Sequence, residues 1–222
     1  MNVDQAEIEK MNKEAIQVMI TTARNKTWKA IEDIKNLIKP GMSELEAIKL
    51  ANKYFMGQGV RKFWHKTHIR FGASTILSFN DTYRENVILK ENDIFYIDIG
   101  PVWDGVEGDC GNTFVIGSNP KYEKITKDIK VLFDDIFHYW KTTESTGKQL
   151  FDYSKTQVEK MNYLLEPSYV KGHRLSEFSH LKYTSMSLFD LDFIPSSERW
   201  ILELQICDPS LKFGAFYEDL LF

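Results

Sequence analysis

Four acidic residues stand inside stretches that otherwise alternate like buried β-strands, and they constrain the fold of this 222-residue chain more than any other feature. Asp98 lies in Phe95-Tyr96-Ile97-Asp98-Ile99-Gly100, and Asp109 opens Asp109-Cys110-Gly111-Asn112-Thr113-Phe114. Glu203 is flanked by leucines in Ile201-Leu202-Glu203-Leu204, and Glu218 sits in Ala215-Phe216-Tyr217-Glu218-Asp219. Acidic side chains are disfavoured in strands, and an unpaired carboxylate taken out of water costs several kcal/mol. Such acids must reach solvent, pair with cations or bind metal. For any one of them a solvent face or an ion pair is the ordinary explanation, so the set becomes informative only if it converges. Alternation places Asp98 on the face of Tyr96 and Gly100, and Asp109 on the face of Gly111 and Thr113, with Cys110 turned away.

The surrounding pattern reads as two helices followed by strands, twice, with a period of roughly 110 residues. Apolar residues at spacings of three and four predict a helix over residues 5–39, stopped by Pro40-Gly41. Ser43 and Glu46 form a capping-box pattern that opens a second helix to about Phe55. Strands are expected at His68–Thr75, Ile94–Ile99 and Asn112–Ile116, the last two joined by a hairpin-like link from Gly100 to Gly108. Asn119-Pro120 then suits a third helix start, Gly147 punctuates, and Leu150–Leu165 reads as a fourth helix. Strands are expected again at Ser168–Gly172, Trp200–Cys207 and Ala215–Phe222. This order favours one α+β domain over two unrelated ones.

Hydrophobic residues make up 43 % of the chain, enough for a packed core. The formal net charge of −4 gives no electrostatic reason to expect nucleic acid. No apolar run has the length of a membrane span, and the N-terminus shows no secretory signal. Two cysteines, Cys110 and Cys207, form no metal-binding or CxxC spacing. A reduced, cytoplasmic protein is the expectation.

Carboxylates combined with an imidazole such as His173, in Lys171-Gly172-His173, are hard-to-borderline ligands that suit Mn, Co, Fe or Zn. Asp98 and Asp109 eleven residues apart, His173 in a Gly-His step, His180 seven residues on, then Glu203 and Glu218, resemble the pita-bread metallopeptidases in order and spacing. That family includes methionine aminopeptidase, aminopeptidase P, prolidase and the metal-free creatinase. The resemblance runs from Pro40-Gly41-Met42-Ser43 to Glu218. It implies an α+β pita-bread fold, with duplicated helix-helix-strand units around a curved antiparallel sheet, in a single catalytic domain over residues 1–222. It also implies two divalent metal ions: Asp98 chelates one, Asp109 and Glu218 bridge both, and His173 and Glu203 complete the second. The implied catalytic groups are His180, as an oxyanion donor, with Glu203 and Glu218, the latter accepting a proton from the metal-activated hydroxide. The implied reaction is hydrolysis of the N-terminal peptide bond of a peptide substrate. The Ile-Asp-Ile-Gly-Pro and Glu-Gly-Asp contexts lean toward the Xaa-Pro type over the methionine type. A prolidase-like dipeptidase and a non-catalytic pita-bread binding protein are the alternatives.

The sequence departs from the family mainly on the substrate side. The family usually has a histidine upstream of the first Asp, where this chain has Ser78-Phe79-Asn80-Asp81. Asn80 and His68 are therefore the candidate substrate-binding residues; His65 could also substitute, although a rim position is expected for it. Arg174 follows His173, Leu181-Lys182-Tyr183 follows His180, and only fourteen residues separate Glu203 from Glu218. No HExxH, GxSxG or phosphate-loop motif is present, and Asp104–Asp109 fails the calcium-loop spacing. The four acids would carry four negative charges, the same as the net charge of the chain, and two divalent ions would neutralise them.

Overall fold

A computed structural model describes residues 13–84, 87–165, 170–175 and 187–222. Helix α1 (Lys13–Leu37) ends before Pro40, and α2 (Glu44–Gly57) starts where the capping box predicts. Ser43 Oγ accepts from the Glu46 N–H, and the Glu46 carboxylate accepts from the Ser43 N–H at 2.8 Å. Strand β1 (His68–Phe71) is shorter than expected, because Gly72–Ile76 turns into a 3-10 helix. Strand β2 (Asp93–Ile99) is followed by a small hairpin of β3 (Val102–Trp103) and β4 (Val106–Glu107). Its two-residue turn, Asp104-Gly105, has φ of 50° and 89°, the paired positive values of a type I′ hairpin. Strand β5 (Cys110–Ile116) completes the first half.

The second half repeats the order. Helix α3 (Pro120–Thr143) is capped by the Asn119 side chain, and α4 (Gly147–Lys160) by a Thr146/Gln149 capping box. Gly147 is thus the first helical residue rather than punctuation, and the expected helix to Leu165 stops at Lys160. Leu164–Leu165 instead forms the short strand β6. The expected strand over Ser168–Gly172 is corrected likewise: Val170–Gly172 is not strand, and pairing begins one residue on, in β7 (His173–Arg174). Ser168 lies outside the described residues, as do His180 and residues 5–12, where the sequence predicts the start of the first helix. Strands β8 (Trp200–Cys207) and β9 (Gly214–Leu220) finish the chain's sheet.

The sheet runs β1-β2-β5-β9-β8-β6, every described pairing antiparallel, with β7 on the outer side of β8. Read outward from the β5/β9 seam, each half offers a seam strand, an inner strand and short edge pairing, backed by its own two helices. Phe95, Ile97 and Ile99 of β2 pack against Ile31 and Ile34 of α1 and Ala51 and Phe55 of α2. Leu202, Leu204 and Ile206 of β8 pack against Ile125, Ile129 and Leu132 of α3 and Leu150 of α4. Each such side chain contributes roughly 1.5–3 kcal/mol by leaving water. Both helix pairs therefore cover one face of the sheet, and the residues between these apolar ones face the other side.

Register does the rest. His68 opposes Asp98, Asp98 opposes Gly111, Gly111 opposes Glu218, and Glu218 opposes Glu203. Opposed residues of an antiparallel ladder point to the same face. Three of the four acids therefore fall in one line across the sheet, on the face opposite the four α-helices.

Candidate metal centre

The strand acids converge. Asp98, Asp109, Glu203 and Glu218 are all buried and line one cleft of about 190 Å³ with His65 and His173. Asp109 enters from the loop end of β5, two residues before Gly111 and on the same face. It is shared by two imidazoles: His65 Nε2 lies 3.0 Å from Oδ1, and His173 Nε2 lies 2.9 Å from Oδ2. His65 Nε2 is also 3.3 Å from Asp98 Oδ1. Glu203 Oε2 accepts from the Gly172 N–H at 3.3 Å, which ties β8 to the segment presenting His173. Asp219, one residue beyond Glu218, faces the helices and takes a two-pronged ion pair from Arg24 of α1, Nε to Oδ1 at 2.6 Å. Glu218 therefore rides on a strand fixed from behind.

Crowding of carboxylates in a dry place sets their proton affinities. Burial pushes Asp98 up to about 6, opposed by His65 and reinforced by the Asp109 charge. Burial and the Asp98 charge push Glu203 up to about 7. Burial, with Asp109 and Asp98 beside it, holds Glu218 well above the usual carboxylate range. Asp109 goes the other way, because His65 and His173 outweigh its burial and hold it low. Its charge in turn raises His173 to about 9 against the penalty of burial, and the Asp98 and Asp109 charges raise His65 well above its ordinary value.

This donor set fits divalent cations. His65, Asp98, Asp109 and Glu218 each offer one ligand atom, all within 4.8 Å of one another. Glu218 Oε1 is buried and accepts no hydrogen bond among the described residues. Gly111 contributes no side chain to the line between Asp98 and Glu218. A buried oxygen left unsatisfied beside three other acids is the chemistry expected where cations belong. Oxygen-rich donors with imidazole nitrogens suit the Mn, Co, Fe and Zn class.

The candidate substrate residues fare differently. His68 is buried, with Nδ1 3.3 Å from the Tyr83 hydroxyl and its ring stacked on His65 at 5.8 Å. Burial, with the nearby positive charges of His65 and Arg70, lowers its pKa to about 3. Asn80 is exposed, its N–H donating to Ser78 Oγ at 3.2 Å, and its neighbour Phe79 lines the cleft instead.

His65, expected at the rim, is in the centre. The chain before it is laid along the end of β2: Trp64 N–H donates to Gly100 O at 2.7 Å, and Val102 N–H to Lys62 O at 2.9 Å. The ring then passes over Gly100, where a Cβ would stand 2.7 Å from Cδ2 and 2.8 Å from Nε2 of His65. The sequence held one faint signal of this, a glycine two residues after Asp98 on the same face. Gly100→Ala should therefore expel the His65 ring from Asp109 while leaving the sheet paired. The His65 imidazole ¹⁵N resonances would report it, and unchanged resonances would rule out the close approach.

A duplicated α+β sheet with helices on one face and a carboxylate–imidazole cluster on the other defines the pita-bread metallopeptidase class. The model of Metallopeptidase family M24 matches residues 19–186, and the chain belongs to that family. Among curated relatives, methionine aminopeptidase 1 of Bacillus subtilis is 28 % identical over 156 residues, 67 % of this chain and 61 % of that protein. A methionine aminopeptidase of Clostridium acetobutylicum is 28 % identical over 157 residues, 66 % of this chain and 60 % of that protein. Among solved structures, the prolidase of Pyrococcus horikoshii OT3 superposes with a TM-score of 0.75 at 20 % identity, covering 94 % of this chain and 59 % of that one. A methionine aminopeptidase of Thermotoga maritima superposes with a TM-score of 0.69 at 15 % identity, covering 98 % and 93 %. The chain matches about three fifths of the length of the curated relatives cited and of that prolidase.

Proposed function

We propose that this chain is a metal-dependent aminopeptidase that hydrolyses the N-terminal peptide bond of peptides, preferring Xaa-Pro substrates. Two divalent ions of the Mn, Co, Fe or Zn class would be held by Asp98, Asp109, His173, Glu203 and Glu218. The observation that supports this most is the convergence of all five on one cleft, with both oxygens of Asp109 engaged. When bound, such ions lower the pKa of water and polarise a carbonyl. The chain's own groups supply the rest. Glu218 takes up a proton at its carboxylate and delivers it to the leaving amine. Glu203 neutralises charge beside His173. His180 keeps its proposed part as donor to the substrate carbonyl oxygen. Trp64 and Phe79 wall the cleft.

A methionine preference is the second reading, favoured by the names of the curated relatives; a dipeptidase would share the same centre. No helix among the described residues is long and apolar enough to cross a membrane. The two free, buried cysteines are in keeping with a reducing, cytoplasmic setting. The deciding assay offers Ala-Pro-type and Met-Ala-type peptides to protein loaded with Mn or Co. Faster release from Ala-Pro peptides, by about tenfold or more, is the expected result. The reverse preference assigns the methionine type, and no release from either by fully loaded protein removes the aminopeptidase reading.

A further inference from the structure

The five ligands carried by the resemblance are lopsided: the ion at Asp98 would have oxygen donors alone, whereas the ion at Glu203 would have the His173 nitrogen. The structure shows a counterpart to His173 on the other side. His65 and His173 engage opposite oxygens of the same carboxylate, at 3.0 and 2.9 Å, each through Nε2. Each also directs Nδ1 at the carbonyl of its own next residue, His65 to Lys66 O at 2.7 Å and His173 to Arg174 O at 3.2 Å. That contact places the N–H on Nδ1 and leaves Nε2 as the coordinating atom, the arrangement metal-bound histidines use. Each ring is also packed by a second planar group, His65 by His68 at 5.8 Å and His173 by Trp64 at 6.0 Å.

His65 is held as firmly as a strand residue. Residues 62–64 are hydrogen-bonded along Gly100–Val102, and Phe63 bridges Pro101. Only a glycine at position 100 leaves room for its ring. Its Nε2 stands within 4.8 Å of ligand oxygens of Asp98, Asp109 and Glu218 at once. A rim histidine that merely contacted a passing peptide would need none of these restraints.

We infer that His65 is a sixth metal ligand, giving its Nε2 to the cation held by Asp98, Asp109 and Glu218, so that each of the two metal positions has one imidazole. This rests on the proposed two-ion centre and goes beyond it. An imidazole on each side shifts both positions toward Co, Zn and Fe and away from Mg, which prefers oxygen donors alone.

The test needs no substrate. Protein stripped of metal by chelation is titrated with Co(II) alone, followed by calorimetry and visible absorption. X-ray absorption at the cobalt edge then counts imidazoles in the wild-type protein. Two cobalt ions per chain with an average of one imidazole each is the expected result, and an average of one half would overturn the inference without any mutation. In His65→Ala one of the two affinities should fall by about tenfold or more, with a changed cobalt spectrum. His173→Ala should weaken the other position comparably. A folded His65→Ala that binds two cobalt ions with wild-type affinity and spectrum would leave His65 as a cleft wall. Wild-type protein that binds no cobalt would overturn the whole ligand set, this one included. Cobalt binding that depends on His65, in protein that hydrolyses no peptide, would sink the aminopeptidase reading and leave this inference standing.

Discussion

Asp109→Ala should abolish metal loading and lower turnover by more than about 10³-fold, beyond the 10²–10³ typical of losing one oxyanion donor. One oxygen of Asp109 is engaged by His65 and the other by His173, so its removal disconnects both halves of the centre at once. The sheet should survive, because the pairing of β5 with β2 and β9 begins beyond it, at Cys110 and Gly111. What changes is the charge that His65 and His173 face. In the metal-free protein His173 stands near 9 because Asp109 holds its proton. Asp109→Asn keeps the shape and one acceptor but removes that charge, so the His173 pKa should drop toward its ordinary value. Metal content by elemental analysis, peptide turnover and a ¹⁵N titration of the histidines check the three parts. Full turnover in Asp109→Ala, or a His173 pKa unmoved in Asp109→Asn, would contradict the bridging assignment.

Much of this was legible in the sequence because strand patterns expose anomalies. An acid at an alternating buried position is visible without any structure, and four of them named Asp98, Asp109, Glu203 and Glu218. Two caps were legible too, since Ser43 and Asn119 signal helix starts through short-range hydrogen bonds, whereas the Thr146/Gln149 box behind Gly147 emerged only in the structure. What sequence could not give was register. The line from His68 through Asp98, Gly111 and Glu218 to Glu203 depends on pairings between strands as much as a hundred residues apart, and no local pattern encodes them. His65 was misplaced for the same reason. Its segment, Lys62-Phe63-Trp64-His65-Lys66, has the composition of an exposed loop, and only the long-range bonds to Gly100 and Val102 turn it inward. Asn80 shows the same limit: spacing from Asp98 pointed to it, but the turn that follows the 3-10 helix presents Phe79 to the cleft and leaves Asn80 exposed.

Chelation should cost this protein a large share of its thermal stability, and more so at higher pH. Ions that bind only the folded state stabilise it by about 4 kcal/mol each when free metal is a thousandfold above the dissociation constant. For a chain of this size each kcal/mol moves the melting temperature by roughly 2–4 °C. One ion is therefore worth roughly 8–16 °C, and two about twice that. The pH dependence follows from proton binding. Glu203, near 7 when folded against an ordinary value of 4.5, binds more protons folded than unfolded between those values, so metal-free stability falls as pH rises through that window. His173, near 9 against 6.5, contributes stability that is complete below 6.5 and lost as pH rises through 9, and His65 acts in the same direction. His68 opposes them only below 6.5, where its depressed pKa makes folding less favourable as pH falls. Between pH 6.5 and 9 these shifts all drive the metal-free protein toward lower stability. Metal ions compete with those same protons, so their stabilisation should grow over that window. Paired melting curves with Co(II) and with chelator, at pH 6.5, 7.5 and 8.5, should open a widening gap. A gap that stayed constant or narrowed with pH would mean that the buried acids and imidazoles are not the groups the metal displaces protons from.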